Sequence, residues 1–402
     1  MLARVLLLLF LALTFHLRAG AQDIRIGVFG LFHPRELTLQ ASRQEAVILQ
    51  AAGQTLILEP GSSTVASLRI SNGALLLDFG EHVIRTAEVH ATARNNAAVT
   101  FLLAVPGKIT RAYRGTLEVK VSRGEVVPII TMDRETAVAS TVAAESSLDT
   151  PSEALKAQAV VARSYFAAGR GRHRDFDFCD LTHCQFLAEP PPEGSPSAIA
   201  TRETRGIVLT FLEKPFAAMF SRSCGGRTRT PAEVGLPGSV YPYFSVFCDF
   251  CHKSPYRWTR RLSFEDAALL GKGESGRLAV DRRLGWNAVP SNSFTSHQEG
   301  EEVILEGVGQ GHGIGLCQRG AEAMAEEGSS FRQILNHYFP NAALIQLGEH
   351  LARSTRNEPV SPPGNFQPIN AHSTTLGFGW WTKKTRTVAI LKIGLAAGFD
   401  HG

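Results

Sequence analysis

Apolar and polar residues alternate in short runs through the first third of the chain. Runs of this kind, separated by Gly, Asn and Pro turn residues, are typical of half-buried β-strands. The predicted strands are Ile24–Val28, Thr55–Leu58, Ser67–Ile70, Ala74–Asp78, Val99–Leu103 and Leu117–Val121. Asn72-Gly73 joins two of these runs and predicts a tight hairpin. The pattern indicates a β-rich N-terminal region.

From Asp133 the spacing of apolar residues becomes helical. Asp133–Glu145 predicts a short helix, and Thr150–Ala168 predicts a longer one. The apolar positions of the longer helix recur every three or four residues, at Leu155, Ala159, Ala162 and Phe166. We expect Thr150 to cap this helix at its N-terminus, with Glu153 completing a capping box. Such a box by itself explains why Glu153 is present.

The later part of the chain mixes both patterns. Strands are predicted at Ile207–Phe211 and Phe216–Phe220, and helices at Leu316–Glu327 and Ser330–Tyr338. Beyond about residue 348 the chain is polar and Pro-rich, so 348–402 is predicted to be a linker or disordered tail. The expected fold class is mixed α+β. We expect a β-rich N-terminal domain over 22–106 and a second domain over 107–347, in which strands surround the helix at 150–168.

The first 21 residues have the pattern of a secretory signal peptide. Arg4 precedes an apolar run of about 11 residues, and Ala19 and Ala21 form a small-residue cleavage site. That run is short of the roughly 20 residues that span a bilayer. We therefore expect a secreted or periplasmic protein of the cell envelope. An uncleaved anchor helix is the alternative.

Composition narrows the class of protein. The chain has 402 residues, of which 44% are hydrophobic and 19% charged, and this balance is globular. The formal net charge is only +4, which is no electrostatic footprint of nucleic-acid binding, so no nucleic acid is expected as a partner.

Several separated motifs carry candidate chemistry. They are Val142–Glu145, Pro151–Tyr165, Phe176–Gln185, Ser223–Gly226, Gly311–Ala321 and Ile334–Pro340. In this order, over about Tyr113–Pro340, they resemble the stage II sporulation protein D / amidase-enhancer (SpoIID/LytB) family. The sporulation branch implies a lytic transglycosylase that acts on peptidoglycan glycan strands stripped of stem peptides. The amidase-enhancer branch implies a non-catalytic cell-wall-binding module that enhances an N-acetylmuramoyl-L-alanine amidase.

Two glutamates compete for the role of catalytic acid. The resemblance implies Glu145, although the family's usual Tyr and Met near this position are Ala137 and Ser146 here. At the C-terminal end of a helix the dipole disfavours a carboxylate, so we expect a raised pKa for Glu145. Glu153, near a helix N-terminus, is expected to have a lowered pKa. We prefer Glu145, and the alternative for Glu145 is a surface charge.

The resemblance also implies residues that bind substrate. Lys156, Gln158 and Arg163 match the family's helix motif, Gln185 ends the Cys/His motif, and His312 and Gln318 belong to the Gly-rich motif. The glycines of that last motif alternate, which lets backbone approach a substrate or another strand closely, and no nucleotide-loop spacing is present. Ordinary structural roles for these residues stay open.

The cysteines leave alternatives open. Cys179, His183 and Cys184 offer two thiols and an imidazole, which suit tetrahedral zinc, and the resemblance suggests a metal at this loop. A Cys179–Cys184 disulfide is the alternative in an exported protein. Cys248 and Cys251 form a Cys-x-x-Cys that can pair, bind metal or stay reduced, and a disulfide is weakly preferred. Cys224 and Cys317 can pair with each other.

Overall fold

The computed structural model describes residues 23–169, 173–182, 184–235 and 242–347. The predicted signal peptide and the predicted tail lie outside these residues. Strands and helices occur side by side in the described part, so the predicted α+β class is confirmed. In this part no helix is long and apolar enough to cross a membrane.

Twelve strands of the described chain form one curled, mostly antiparallel sheet. Their bounds are β1 Asp23–Gly27, β2 Glu36–Ala41, β3 Val47–Ala51, β4 Gln54–Leu58, β5 Ala66–Ser71, β6 Ala74–Phe79, β7 His82–Thr86, β8 Glu88–Thr92, β9 Val99–Val105, β10 Ile109–Ser122, β11 Glu125–Asp133 and β12 Phe178–Cys179. Five of the strands predicted in this region are confirmed within a few residues, and the sixth, Leu117–Val121, is the second half of the longer β10.

The long strand β10 joins the two halves of this sheet. Its first half pairs with β9, and its second half pairs with β8 along the same edge and with β11 along the other. The change of partner occurs at Gly115, where the backbone of β11 comes very close. A Cβ at this position would lie 2.5 Å from the carbonyl oxygen of Thr131, so a residue without a side chain is needed. The predicted domain boundary at residue 106 falls in the turn between β9 and β10, which are paired.

The predicted hairpin at Asn72-Gly73 is confirmed. These two residues connect β5 to β6, with φ angles of 47° and 73°. Positive φ at both central positions is the requirement of a type I′ turn, which Asn-Gly satisfies at little cost.

Two helices follow the sheet and lead to the candidate site. Helix α1 runs over Arg134–Glu145, and helix α2 over Ser152–Ala168. Asp133 caps α1 by accepting hydrogen bonds from the N–H groups of Glu135 and Thr136. The predicted capping box at α2 is wrong, since Pro151 holds the N-cap position and Thr150 instead accepts from the N–H of Ser147.

Helix α2 is buried between two hydrophobic cores. One face, with Leu155, Ala159, Ala162 and Phe166, packs into the core of the large sheet. The opposite face, with Ala154, Ala157, Val160 and Val161, packs into a second core. The apolar periodicity of the sequence predicts the first of these faces. Helix α2 is thus the helix that is predicted to lie at the centre of the second domain.

The second core is covered by short elements. Helix α3, Pro196–Glu203, precedes them and contributes Ala200 to the core of the large sheet. The covering elements are β13 Ile207–Phe211, β14 Lys214–Pro215, β15 Phe220–Ser221, α4 Asp249–Lys253, β19 Leu316–Cys317, α7 Gln318–Glu326, α8 Phe331–Tyr338 and β20 Ala343–Gln346. Strands β15 and β19 pair in parallel. Of the predicted strand Phe216–Phe220, only Phe220 lies in a strand.

A third, smaller core lies under a separate three-stranded sheet. Its elements are β16 Arg257–Ser263, α5 Phe264–Leu269, α6 Glu274–Leu284, β17 Phe294–Glu299 and β18 Glu302–Val308, and the sheet order is β16-β18-β17. Trp258, Val280 and Leu305 are buried in this core. No strand or helix of this part is predicted from the sequence.

Candidate functional site

Glu145 is the last residue of α1, as the sequence predicted. The helix is fixed to the sheet core by Val138 and Val142, so the position of its end is determined by packing. From the opposite core, the Gln318 side chain donates a hydrogen bond from Nε2 to the Glu145 carbonyl oxygen, at 3.1 Å. The motif Val142–Glu145 therefore meets the Gly-rich motif Gly311–Ala321 at Glu145.

The Glu145 carboxyl group is partly buried. Burial raises its pKa from 4.5 to about 7, while the positive charge of Arg222 opposes the rise. Arg222 is engaged by Glu322, with 2.6 Å between Nη1 and Oε1. The raised pKa was predicted, but the cause is loss of water rather than mainly the helix dipole.

A small cleft lies beside the end of α1. Its lining residues are Ser146, Thr150, Ala154, Gln158, Leu316, Gln318, Ala321 and Glu322. Gln158 projects into it from α2 and is only 3% exposed. Neither amide atom of Gln158 has a hydrogen-bond partner among the described residues. A buried amide without a protein partner is costly, so hydrogen bonds to a ligand or water in the cleft would stabilise this group.

Glu153 has other partners. It accepts hydrogen bonds from Lys156 Nζ at 2.7 Å and from the Phe331 backbone N–H at 2.7 Å. Burial raises the pKa of Glu153, but these hydrogen bonds and the Lys156 charge outweigh it and hold the pKa below 4.5. Lys156 also pairs with Glu203 at 2.9 Å. Both Glu153 and Lys156 therefore take part in a surface ion network.

Arg163 does not fit the expected place in a binding groove. Its side chain is 0% exposed and forms a two-pronged ion pair with Glu135, with Nε–Oε1 and Nη2–Oε2 distances of 2.8 Å. It also donates to the carbonyls of Thr201 and Ile207. These contacts tie α2 to α1, α3 and β13, so Arg163 is a structural residue. Gln185 is also buried, with its Nε2 3.5 Å from the Ala162 carbonyl oxygen.

His312 is held by the Gly-rich segment. Its Nδ1 accepts the N–H of Ile314 at 3.0 Å and lies 3.2 Å from the Ser221 hydroxyl. Burial lowers the pKa of His312, which makes the imidazole neutral at physiological pH, with its proton on Nε2. The alternating glycines allow close packing: a Cβ at Gly315, where φ is +74°, would lie 2.2 Å from the Met219 carbonyl oxygen.

The Cys/His loop contains a second histidine near the thiols. His173, Cys179 and Cys184 offer three ligand atoms that lie within 4.8 Å of one another. His173 Nε2 is 3.3 Å from Cys184 Sγ. The predicted ligand His183 lies outside the described residues. His173 lies outside the Cys179–Cys184 motif from which the ligands were predicted, so the sequence did not indicate it as a ligand.

Comparisons with known proteins agree with the resemblance. The model of the SpoIID family, described as stage II sporulation protein, matches residues 122–211. The stage II sporulation protein D of Bacillus amyloliquefaciens is 27% identical over 264 residues, covering 54% of this chain and 75% of its own. An uncharacterized protein of Brachyspira hyodysenteriae is 27% identical over 267 residues, covering 58% and 72%.

A shorter match involves the second branch of the family. The amidase enhancer of Bacillus subtilis is 38% identical over 61 residues, which is 15% of this chain and 9% of that protein. The fold and the site define an α+β protein with a desolvated glutamate, Glu145, beside a small cleft. Together with these matches, they support a SpoIID family assignment, with the family model covering residues 122–211.

Proposed function

We propose that this protein is a peptidoglycan lytic transglycosylase whose single acid/base is Glu145. The observation that carries the proposal is the burial of Glu145, which raises the pKa of its carboxyl group to about 7 beside the cleft. A carboxyl group with this pKa is protonated often enough near neutral pH to act as an acid, and it is a competent base once deprotonated. The names of the relatives support a role at the cell wall.

The reaction needs only one carboxyl group. Glu145 first donates its proton to the glycosidic oxygen, and the bond between that oxygen and C1 of the sugar breaks. The Glu145 carboxylate then takes the proton of the C6 hydroxyl on the same sugar as that oxygen bonds to C1. A 1,6-anhydro ring closes, no water is consumed, and Glu145 is protonated again.

The polar residues around the cleft suit a sugar polymer. The unpartnered amide of Gln158 offers two donors and an acceptor, a set that matches sugar hydroxyls. Gln318, bonded to the Glu145 carbonyl, fixes the end of α1 against the Gly-rich segment. In this proposal Gln158 binds the glycan, and Gln318 is a positioning residue.

Zinc at the Cys/His loop is a separate proposal. The thiols of Cys179 and Cys184 and the imidazole of His173 are donors that zinc prefers, and their mutual distances fit one ion. A bound zinc would supply a fixed crosslink between β12 and the segments that flank it. The acid/base step at Glu145 does not depend on it.

An amidase enhancer is the second candidate function. The local similarity to an amidase enhancer favours it, as do Ala137 and Ser146, which depart from the family pattern near Glu145. In this version the cleft binds glycan and the protein recruits a cell-wall amidase. Both versions place the protein in the cell envelope, where the predicted signal peptide would direct it.

The two functions differ in the products they give. Purified glycan strands, with and without prior amidase treatment, are incubated with the protein, and the products are analysed by mass spectrometry. We expect 1,6-anhydro products that disappear in Glu145→Gln and persist in the matched Glu153→Gln. Circular dichroism checks that both variants fold.

Other outcomes reassign the function. If only Glu153→Gln abolishes the products, the acid is Glu153. If the folded protein gives no product on either substrate but accelerates an added amidase, the protein is an enhancer and the proposed transglycosylase is wrong.

A further inference from the structure

Four cysteines that are far apart in the sequence meet inside the second core. The thiol sulfurs of Cys224, Cys248, Cys251 and Cys317 all lie within 4.8 Å of one another. Each of these residues is at most 5% exposed. We propose that they form a structural tetrathiolate site for a zinc ion, distinct from the His173 loop.

The distances suit one ion better than two disulfides. Zn–S bonds of about 2.3 Å place the sulfurs of a tetrahedron about 3.8 Å apart. The Sγ atoms of Cys251 and Cys317 are 3.5 Å apart, whereas a disulfide needs about 2.05 Å. Each sulfur also lies near all three others, as four ligands of one ion do. Two disulfides would only require each sulfur to lie near one other. The weakly preferred Cys248–Cys251 disulfide is not formed in this structure.

The local backbone presents the four thiols in the manner of a zinc knuckle. Cys248 is the N-cap of α4 and Cys251 lies one turn later, so both sulfurs point to one side. Cys224 follows β15, and Cys317 ends the parallel strand β19. The Cys248 N–H bonds to the Gly226 carbonyl at 2.9 Å, which holds the two halves of the site together.

Polar hydrogens surround the sulfurs. The Cys224 backbone N–H points at Cys317 Sγ at 3.4 Å, the Ser223 hydroxyl lies 3.5 Å from Cys251 Sγ, and the Tyr338 hydroxyl lies 3.4 Å from Cys248 Sγ. Donors of this kind stabilise thiolate ligands around a metal.

A cation from the segment after Cys317 contacts the Cys-x-x-Cys turn. Four thiolates and one Zn²⁺ carry a net charge of −2, which an apolar core does not accept without compensation. The guanidinium of Arg319 stacks over the ring of Phe250, inside the Cys-x-x-Cys turn, with 5.2 Å from its carbon to the ring centroid. Its positive charge offsets part of this cost.

The site would crosslink the two segments that carry Gln318 and Arg222, which lie near Glu145. Cys317 directly precedes Gln318, which bonds to Glu145, and Cys224 lies two residues after Arg222. A metal here would fix both segments without touching the substrate. This inference concerns the core and does not depend on the proposed glycan cleavage.

The test uses the full chain with Cys179→Ser and Cys184→Ser, which leaves only these four cysteines. The protein is purified with a reductant, equilibrated with zinc, and studied by native mass spectrometry and zinc X-ray absorption. We expect about one zinc per chain, with four sulfur neighbours at about 2.3 Å and no nitrogen or oxygen in the first shell. Two matched single variants of the native chain provide the control. Cys251→Ser should lose this zinc, and Cys184→Ser should keep it.

Three results would overturn the site. They are a metal-free protein with four titratable thiols, a mass lower by four hydrogens that marks two disulfides, and a zinc shell containing nitrogen or oxygen. Because these are read from the folded four-cysteine protein, a failure of Cys251→Ser to fold does not affect the decision.

Discussion

At the scale of single residues, the burial of Glu145 lowers the stability of the folded protein at neutral and alkaline pH. Its folded pKa of about 7 lies above the ordinary 4.5, so folding disfavours its charged form. The contribution of this group to stability is therefore full below about pH 4.5, and it is lost as the pH rises through 7. Glu153 has the opposite sign, because its pKa is lowered and its contribution is present at neutral pH.

Replacement of Glu145 by its neutral isostere should stabilise the protein at alkaline pH. We expect Glu145→Gln to raise the free energy of unfolding by roughly 1–3 kcal/mol at about pH 8 and to change it little at about pH 4. Urea unfolding at the two pH values measures this. The matched Glu153→Gln should lower the stability at about pH 8. A loss of stability in Glu145→Gln at about pH 8 would show that the carboxylate is not disfavoured by burial.

The residues of the site were predicted unevenly. The positions of Glu145 and Glu153 at helix ends indicated the directions of their pKa shifts correctly. The main cause, however, is desolvation for Glu145 and the contacts with Lys156 and Phe331 for Glu153. Those causes depend on segments far away in the chain. For the same reason, the sequence did not indicate that Arg163 is buried against Glu135, or that His173 reaches Cys184.

At the scale of elements, the ion pair between Glu135 and Arg163 holds α1 against α2. The Arg163 guanidinium is fully buried, so its charge depends on this one carboxylate and on neighbouring carbonyls. Loss of one partner from a buried pair leaves an uncompensated charge and is expected to cost about 3–5 kcal/mol. The position of Glu145 at the end of α1 depends on this contact.

We therefore expect Glu135→Gln to lower the free energy of unfolding by about 3–5 kcal/mol in urea titrations. The control is Glu203→Gln, which breaks the more exposed pair with Lys156 and should cost no more than about 1 kcal/mol. Equal, small losses in the two variants would mean that the buried pair contributes little to joining the helices.

Elements with a clear apolar period were predictable, and the others were not. The N-terminal strands alternate cleanly, and α2 repeats every three or four residues because one face meets the sheet core. Strand β17 lies largely in solvent, so its residues show no alternation. The two-residue strands β15 and β19 are too short to show a period, and within the described chain they pair only with each other across a long stretch of sequence.

At the scale of the whole molecule, the large sheet continues across the domain boundary that the sequence predicts. Strand β10 begins just after residue 106 and pairs with β8 and β9 from before it, while β11 pairs with β1. Composition alone does not reveal strand order. The division of 22–347 into two domains remains a prediction, and the observed pairing joins its two parts in one sheet.

The sheet and the second core together make the site. Helix α1 extends from the sheet, the Gly-rich segment belongs to the second core, and α2 lies between the two. The carboxyl group of Glu145 is desolvated where these parts meet. The central claim is that this burial keeps Glu145 protonated near neutral pH for proton transfer to a glycosidic oxygen.

The most direct test of this claim is the rate of 1,6-anhydro product release from about pH 5 to about pH 9. We predict an alkaline limb with an apparent pKa near 7, because the rate falls as Glu145 loses its proton, and no activity in Glu145→Gln. A rate that stays constant across this range, or an unchanged profile in Glu145→Gln, would contradict the assignment of Glu145 as the acid.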